Sequence, residues 1–220
     1  MKKLIDLSHT IENGTITYKG LPAPIICDYL SREDSRKYYE PGTEFQIGKI
    51  EMISNTGTYV DCPFHRYADG QDLNDVEVDR FAELDGIVVR ADYTKGIEIG
   101  KSSFEERSLQ NKAVLINSNW SRYWGTETYF DNHSFLTEEA ALFLRDSNVK
   151  LVGIDSHNID DTRKKSRPVH SVLLKAGILI VEHLSNLHEL PEGEFVFNAV
   201  PPKIKGVGTF PVRAYARIIS

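Results

Sequence analysis

Apolar residues recur along this chain at two different spacings. Short β-branched apolar runs occur in DGIVVRADY (85–93), KAVLINSNW (112–120), NVKLVGID (148–155) and ILIVEHL (178–184). They have the length and composition of strands buried on both faces. Leu4 to Ser8 reads as a further short strand, and FVFNAVPPKIKG and VRAYARII supply the last ones. From Phe45 to Val60 apolar and polar residues alternate, which predicts a half-buried strand or hairpin. Two segments follow the helical period instead. In SFLTEEAALFLRDSN (134–148), Thr137 is placed to cap a helix, and Glu138 and Glu139 complement the positive end of its dipole. Val169 to Ala176 makes a second helix, stopped by Gly177. Between the first strand and the alternating segment, Gly14, Gly20, Pro22 and Pro24 punctuate a loop. Strands outnumber helices but helices interrupt them. The pattern therefore predicts a mixed α/β layered fold, one domain over residues 1–220, rather than a regular βαβ repeat.

Composition narrows the function more than the fold. A chain of 220 residues can bury roughly 70–75% of its unfolded surface and build a core unaided. The net charge of −6 argues against a nucleic-acid partner, which would need a basic face. Basic residues do gather in RKKSR (163–167), but beside Pro168 this reads as a solvated loop. Cys27 and Cys62 cannot make a disulfide framework, and reduced thiols are expected. No run is apolar for long enough to span a bilayer, and the start of the chain does not read as a signal peptide. A cytoplasmic protein with no membrane partner is expected.

The densest chemistry lies in NTGTYVDCPFH (55–65). Gly57 and the β-branched Thr56, Thr58 and Val60 oppose a helix, and Pro63 would end one. In an extended chain Asn55, Tyr59 and Asp61 share a face, with Gly57 leaving room between them for a close approach. Pro63 then breaks the strand, so His65 can turn back toward the same place. The competing reading is a polar strand end whose side chains satisfy backbone groups. A second signal is Glu182, which shares a strand face with Ile178, Ile180 and Leu184. A buried carboxylate needs a cation, hydrogen bonds or a shifted pKa. A metal would supply the cation, and so would Lys175. His170 lies on the helix just after Pro168.

These residues, in this order, resemble the kynurenine formamidase family, also called the cyclase family of metal-dependent hydrolases. That family is marked by His-x-Gly-Thr-His-x-Asp-x-Pro-x-His, and Asn55 to His65 matches it except at Asn55 and Tyr59. The likeness continues through IDLSHTIENG, ADGQDLNDVEVDRF, AVLINSNWSRYW, LTEEAALFL, LVGIDSHNID, PVHSVLLKAGILIVEHLSNLHEL and PVRAYA. It implies a β/β/α layered fold and a homo-oligomer, dimer or tetramer, with the partner's N-terminal region near each site. It also implies a divalent metal held by Asp61, His170 and Glu182, with His65 as general acid and base. The early histidines that would hold another ion are replaced by Asn55 and Tyr59, so one ion per chain, zinc or manganese, is expected.

The activity implied is hydrolysis of a C–N bond in a small amide, formamide or cyclic amide, as an arylformamidase of tryptophan catabolism performs it. On this reading Tyr59 and Asn55 become an electrophilic side, donating hydrogen bonds to a developing oxyanion. Trp120 and Trp124 are candidates for stacking on a flat substrate, and Arg66 or Arg122 for binding a carboxylate. His9 borders the site, whereas His133, His157, His183 and His188 match no catalytic position. Asp155 is read as capping the turn after its own strand. The alternatives are a non-catalytic relative that binds a small ligand, and a lyase or cyclase using the same metal as a Lewis acid.

Overall fold

A computed structural model describes residues 3–219. Its strands are β1 (Leu4–Asp6), β2 (Ile25–Leu30), β3 (Ile47–Glu51), β4 (Tyr59–Asp61), β5 (Leu84–Arg90), β6 (Glu98–Ile99) and β7 (Ala113–Asn117). They continue with β8 (Phe135–Leu136), β9 (Leu151–Ile154), β10 (Leu179–Glu182), β11 (Phe195–Asn198), β12 (Thr209–Pro211) and β13 (Tyr215–Ile218). The helices are α1 (Arg32–Ser35), α2 (Glu138–Asp146) and α3 (Pro168–Lys175). One mixed sheet runs in the order β1-β13-β11-β5-β7-β9-β10-β4-β12. Its middle pairs, β5 with β7, β7 with β9, and β9 with β10, are parallel; the pairs outside them are antiparallel.

The apolar runs became these central strands because both faces of the sheet are covered. In β7, Ala113 and Leu115 enter one core while Val114 and Ile116 enter the other. The second core is closed by α2 and α3 through Ala140, Ala141, Leu144, Val169, Leu173 and Leu174. Thr137 caps α2 as expected, accepting a hydrogen bond from the Ala140 amide at 3.2 Å. The mixed α/β expectation holds.

The alternating segment behaves differently. β3 pairs with β2 in a separate two-stranded arm, and all five residues of β3 are exposed rather than half-buried. The strand then breaks, and the chain enters the main sheet only at β4. Gly57 makes the break, at φ +67°, and the space beside it is taken by Ile11, whose Cγ1 would lie 2.7 Å from an added Cβ. The room left by Gly57 therefore serves packing, not a ligand. A second break follows β10. His183 adopts φ +56°, so the alternation stops and Leu184 drops into the core opposite Ile180. Glu182 keeps the face of Ile178 and Ile180, but Leu184 does not share it.

Candidate functional site

β4 and β10 are antiparallel neighbours, with Tyr59 opposite Glu182 and Asp61 opposite Ile180. This pairing brings two parts of the chain more than a hundred residues apart to one spot. Asp61 and Glu182 are both fully buried. After β4, Pro63 starts a single 3-10 turn that swings His65 back, as the proline predicted. Pro168 opens α3 and sets His170 in its first turn.

The ligand-capable atoms of Asp61, His65 and His170 all lie within 4.8 Å of one another. His170 Nε2 is 3.6 Å from Asp61 Oδ2 and 3.7 Å from Glu182 Oε1. Asp61 Oδ2 is buried and accepts no hydrogen bond among the described residues. Such an oxygen costs about 1–3 kcal/mol or more if nothing pairs with it. A divalent cation fits it: one unpaired carboxylate oxygen, one imidazole nitrogen facing it, and a second carboxylate beside them. Glu182 is the least free of these groups. Its Oε2 accepts from the Tyr59 hydroxyl at 2.5 Å and from Asn158 Nδ2 at 3.3 Å, and its Oε1 accepts from the Ile159 amide at 2.6 Å.

The charges follow from this packing. Burial pushes the Glu182 carboxyl up, to about 7, although His170 pulls the other way. Burial by itself would lower the His170 pKa. The hydrogen bond to Asp160 and the nearby Asp61 and Glu182 carboxylates outweigh it and push the pKa up to about 10. Burial also opposes ionisation of Asp61, but His65, His170 and Thr209 hold its carboxyl below the ordinary range. Lys175 is not the partner of Glu182; its ammonium lies over the Tyr67 ring, 5.7 Å from the centroid.

Thr209 and Asp160 complete the site, and neither is evident from sequence. Thr209, on β12, donates its hydroxyl proton to Asp61 Oδ1 at 2.5 Å. Its oxygen is then left to accept from His65 Nδ1, 2.8 Å away, so His65 carries its proton on Nδ1 and a lone pair on Nε2. The His65 backbone can come this close because position 208 is glycine; an added Cβ there would lie 2.2 Å from the His65 amide nitrogen. Asp160 accepts from His170 Nδ1 at 2.6 Å and from the Val169 and His170 amides at 2.8 and 3.0 Å. It caps α3 and fixes the imidazole so that Nε2 faces Asp61. The available signal for Asp160 was an acidic residue ahead of a proline-started helix bearing a histidine. For Thr209 there was none.

The site floors a cavity of about 580 Å³, lined among others by Tyr18, Leu21, Asn55, Tyr59, His65, Arg66, Lys165, Arg167, His170 and Glu182. Several expected residues are elsewhere. Tyr59 lines the cavity, but its proton is committed to Glu182, and burial with the Glu182 and Asp61 charges raises its pKa well above 10. It positions a carboxylate rather than meeting an oxyanion. Asn55 stands beside that phenol. Trp120 is buried away from the cavity and donates its indole N–H to the Tyr129 carbonyl at 3.0 Å. Trp124 stacks on His9, centroids 4.0 Å apart. Arg122 borders a different cleft with His9 and Asn186. Of the proposed substrate contacts only Arg66 reaches the cavity. Asp155 caps not its own turn but the one after β7, accepting from the Ser118 and Asn119 amides at 2.8 and 2.9 Å.

The chain is similar to curated proteins over almost its whole length. It is 29% identical over 215 residues to a kynurenine formamidase of Bacillus cereus, covering 98% of this chain and 97% of that protein. It is 28% identical over 218 residues to a kynurenine formamidase of Bacillus anthracis, covering 99% and 98%. The fold is similar to that of isatin hydrolase A from Labrenzia aggregata, with a TM-score of 0.84 at 22% identity over 100% of this chain and 94% of the other. The Cyclase family model matches residues 5–161, which include the whole of the 55–65 motif and Asp160, and the chain belongs to the Cyclase family.

Proposed function

We propose that this protein is a metal-dependent hydrolase of an amide or formamide C–N bond in a small, flat substrate. The observation that carries the reading is the buried, unpaired Asp61 Oδ2 facing His170 Nε2, a residue that lines an open cavity. The kynurenine formamidase relatives support the reaction class, since their name is that of a formamide hydrolase.

Asp61 and His170 would hold the ion, with Glu182 beside them and His65 within reach. Bound there, a divalent cation would polarise a carbonyl and make water more acidic. His65 Nε2 serves as the base that accepts the proton of the attacking water and as the acid that returns it to the leaving nitrogen. Thr209 keeps the imidazole in the tautomer this requires, and Asp61 holds the Thr209 proton in turn. Tyr59 and Asn158 hold Glu182, so its charge stays directed at His170. Zinc or manganese suits one imidazole with carboxylate oxygens. Because Tyr59 keeps its proton and hydrogen-bonds Glu182, a single ion per chain is the natural stoichiometry.

Two further features belong to this reading. The β2–β3 arm exposes Ile25, Tyr29, Ile47 and Ile50, with Tyr29 at 77% and Ile50 at 61%, which supports a homo-oligomer built on the arm. Cys27 and Cys62 are free, which supports a reducing, cytoplasmic setting. Among the described residues no helix is long and apolar enough to cross a membrane. The reaction is tested by elemental analysis of protein purified without chelator, alongside turnover of formanilide. One equivalent of zinc or manganese and turnover that chelator abolishes are expected. Protein that binds no divalent ion and hydrolyses none of a panel of formanilides, lactams and lactones would end the hydrolase reading.

A further inference from the structure

The basic run RKKSR is divided by the fold into two parts. Arg163 is neutralised by Asp161, with Nε and Nη2 at 2.7 and 3.1 Å from its carboxylate, and Lys164 lies 3.9 Å from the same group. Lys165 and Arg167 instead line the cavity above the candidate metal centre, together with Arg66. Among the described residues none of these three makes an ion pair with a carboxylate.

Two of the three are held by hydrogen bonds. The Arg167 guanidinium donates to the Lys164 and Ser166 carbonyls at 2.5 and 2.9 Å, which fixes it at the mouth while leaving its charge unopposed. Arg66 donates to Ser171 Oγ at 3.3 Å across that mouth. Among the described residues the sole acidic one lining the cavity is Glu182, buried and already engaged by Tyr59, Asn158 and Ile159. Tyr18 and Leu21 add apolar surface to the cavity lining. An anionic group held at the mouth gains from three cations at once. An ammonium group there meets the same cations and no free carboxylate.

We propose that the substrate of this site carries a carboxylate, and no ammonium group, on the part that projects toward Arg66, Lys165 and Arg167. This rests on the hydrolase reading above and narrows its substrate class to anionic amides rather than neutral or zwitterionic ones. Arg66, Lys165 and Arg167 are on this view specificity residues. They hold the distal carboxylate and so place the scissile bond over Asp61 and His170.

The experiment uses the full chain loaded with its metal. Probes are the isomeric formamidobenzoates, their methyl esters, and zwitterionic 4-formamidophenylalanine. At least one formamidobenzoate is expected to exceed its ester and the zwitterion by roughly tenfold in kcat/KM, mostly through KM. Raising the salt from about 50 to about 500 mM should erode that preference, because the mouth is solvent-exposed and screened. Lys165→Gln with Arg66→Gln should lower the acid-to-ester ratio several-fold. Esters turned over as well as acids, or a ratio the double substitution leaves intact, overturns the proposal. If no formamide is turned over, the hydrolase reading alone fails, and calorimetric binding of phthalate against dimethyl phthalate decides the anion question. Phthalate bound more tightly than its ester, and weakened about tenfold by the double substitution, upholds the anion site. Equal or absent binding removes it.

Discussion

Two groups of histidines in this fold have opposite characters. In one, His65 and His170 stand among carboxylates: Asp61, Asp160 and Glu182 all reach them directly or through Thr209. In the other, His9, His157 and His183 pack with Tyr129, Trp124 and Tyr18. His9 Nε2, His157 Nδ1 and His183 Nε2 are buried without a hydrogen-bond partner among the described residues. Burial lowers the pKa of His9 to about 4 and, with nearby His133 and Arg167, that of His157 to about 3. On our proposed reading the same side chain serves as a ligand or acid-base group where carboxylates surround it. It is a flat, neutral packing element where aromatic rings exclude them. Glu182 and His183 are consecutive, and the left-handed backbone at His183 turns one into each environment.

The sharpest way to break this contrast is Asp61→Ala. It removes the unpaired oxygen, and loss of bound metal with a fall of about 10³-fold or more in turnover is expected. Elemental analysis and formanilide kinetics on folded variant protein measure both. A variant that keeps metal and rate would place the ion elsewhere. Asp160→Asn should cost less, about 10–100-fold in metal affinity, because it loosens the His170 tautomer without deleting a ligand. Metal titration in a competing chelator reads this.

The packing histidines predict a stability effect in acid. A histidine whose folded pKa is depressed binds its proton first in the unfolded chain. Its contribution to stability is therefore present above pH 6.5 and is lost as pH falls toward the folded values of about 4 for His9 and about 3 for His157. Each such group steepens the decline by up to about 1.4 kcal/mol per pH unit. His157→Phe, which keeps a ring among Tyr18, Phe130 and His133, should flatten the urea-derived profile between pH 6 and about 4 by that amount. An unchanged slope would show that His157 does not titrate there. The smallest effect is expected at Trp124→Phe. Its stacking partner is His9, not substrate, so kcat/KM should stay within about twofold while stability drops modestly. A tenfold loss of kcat/KM would move this aromatic group into the active site.

Much of the candidate site was legible because its residues impose local constraints. Asp61 and His65 flank Pro63, His170 follows Pro168, and Glu182 interrupts an apolar strand, so each stands out against its neighbours. Their assembly also agreed with a known motif. Residues that touch those side chains were less visible. Asp160 looked like one more acid in a polar loop, and Thr209 like one more β-branched strand residue. A single hydrogen bond leaves no periodicity. Trp120, Trp124 and Arg122 went astray for the converse reason: type alone does not say which side of a sheet a residue reaches. In the sequence Lys165 and Arg167 belong to what looks like a solvated loop, and only the fold separates them from Arg163, whose charge Asp161 cancels.

By itself the sequence determined the buried central strands, the capped α2, the proline-started turns that carry His65 and His170, and the need of Glu182 for a partner. These depend on backbone preference and on the cost of burying apolar or charged groups, which act over a few residues. The tertiary structure alone decided which partners met. Antiparallel pairing of β4 with β10 set Tyr59 against Glu182, β12 delivered Thr209 to Asp61 and His65, and the left-handed turn at His183 separated the two histidine environments. Those contacts depend on strand order and register, which arise from the packing of the whole sheet rather than from any one segment.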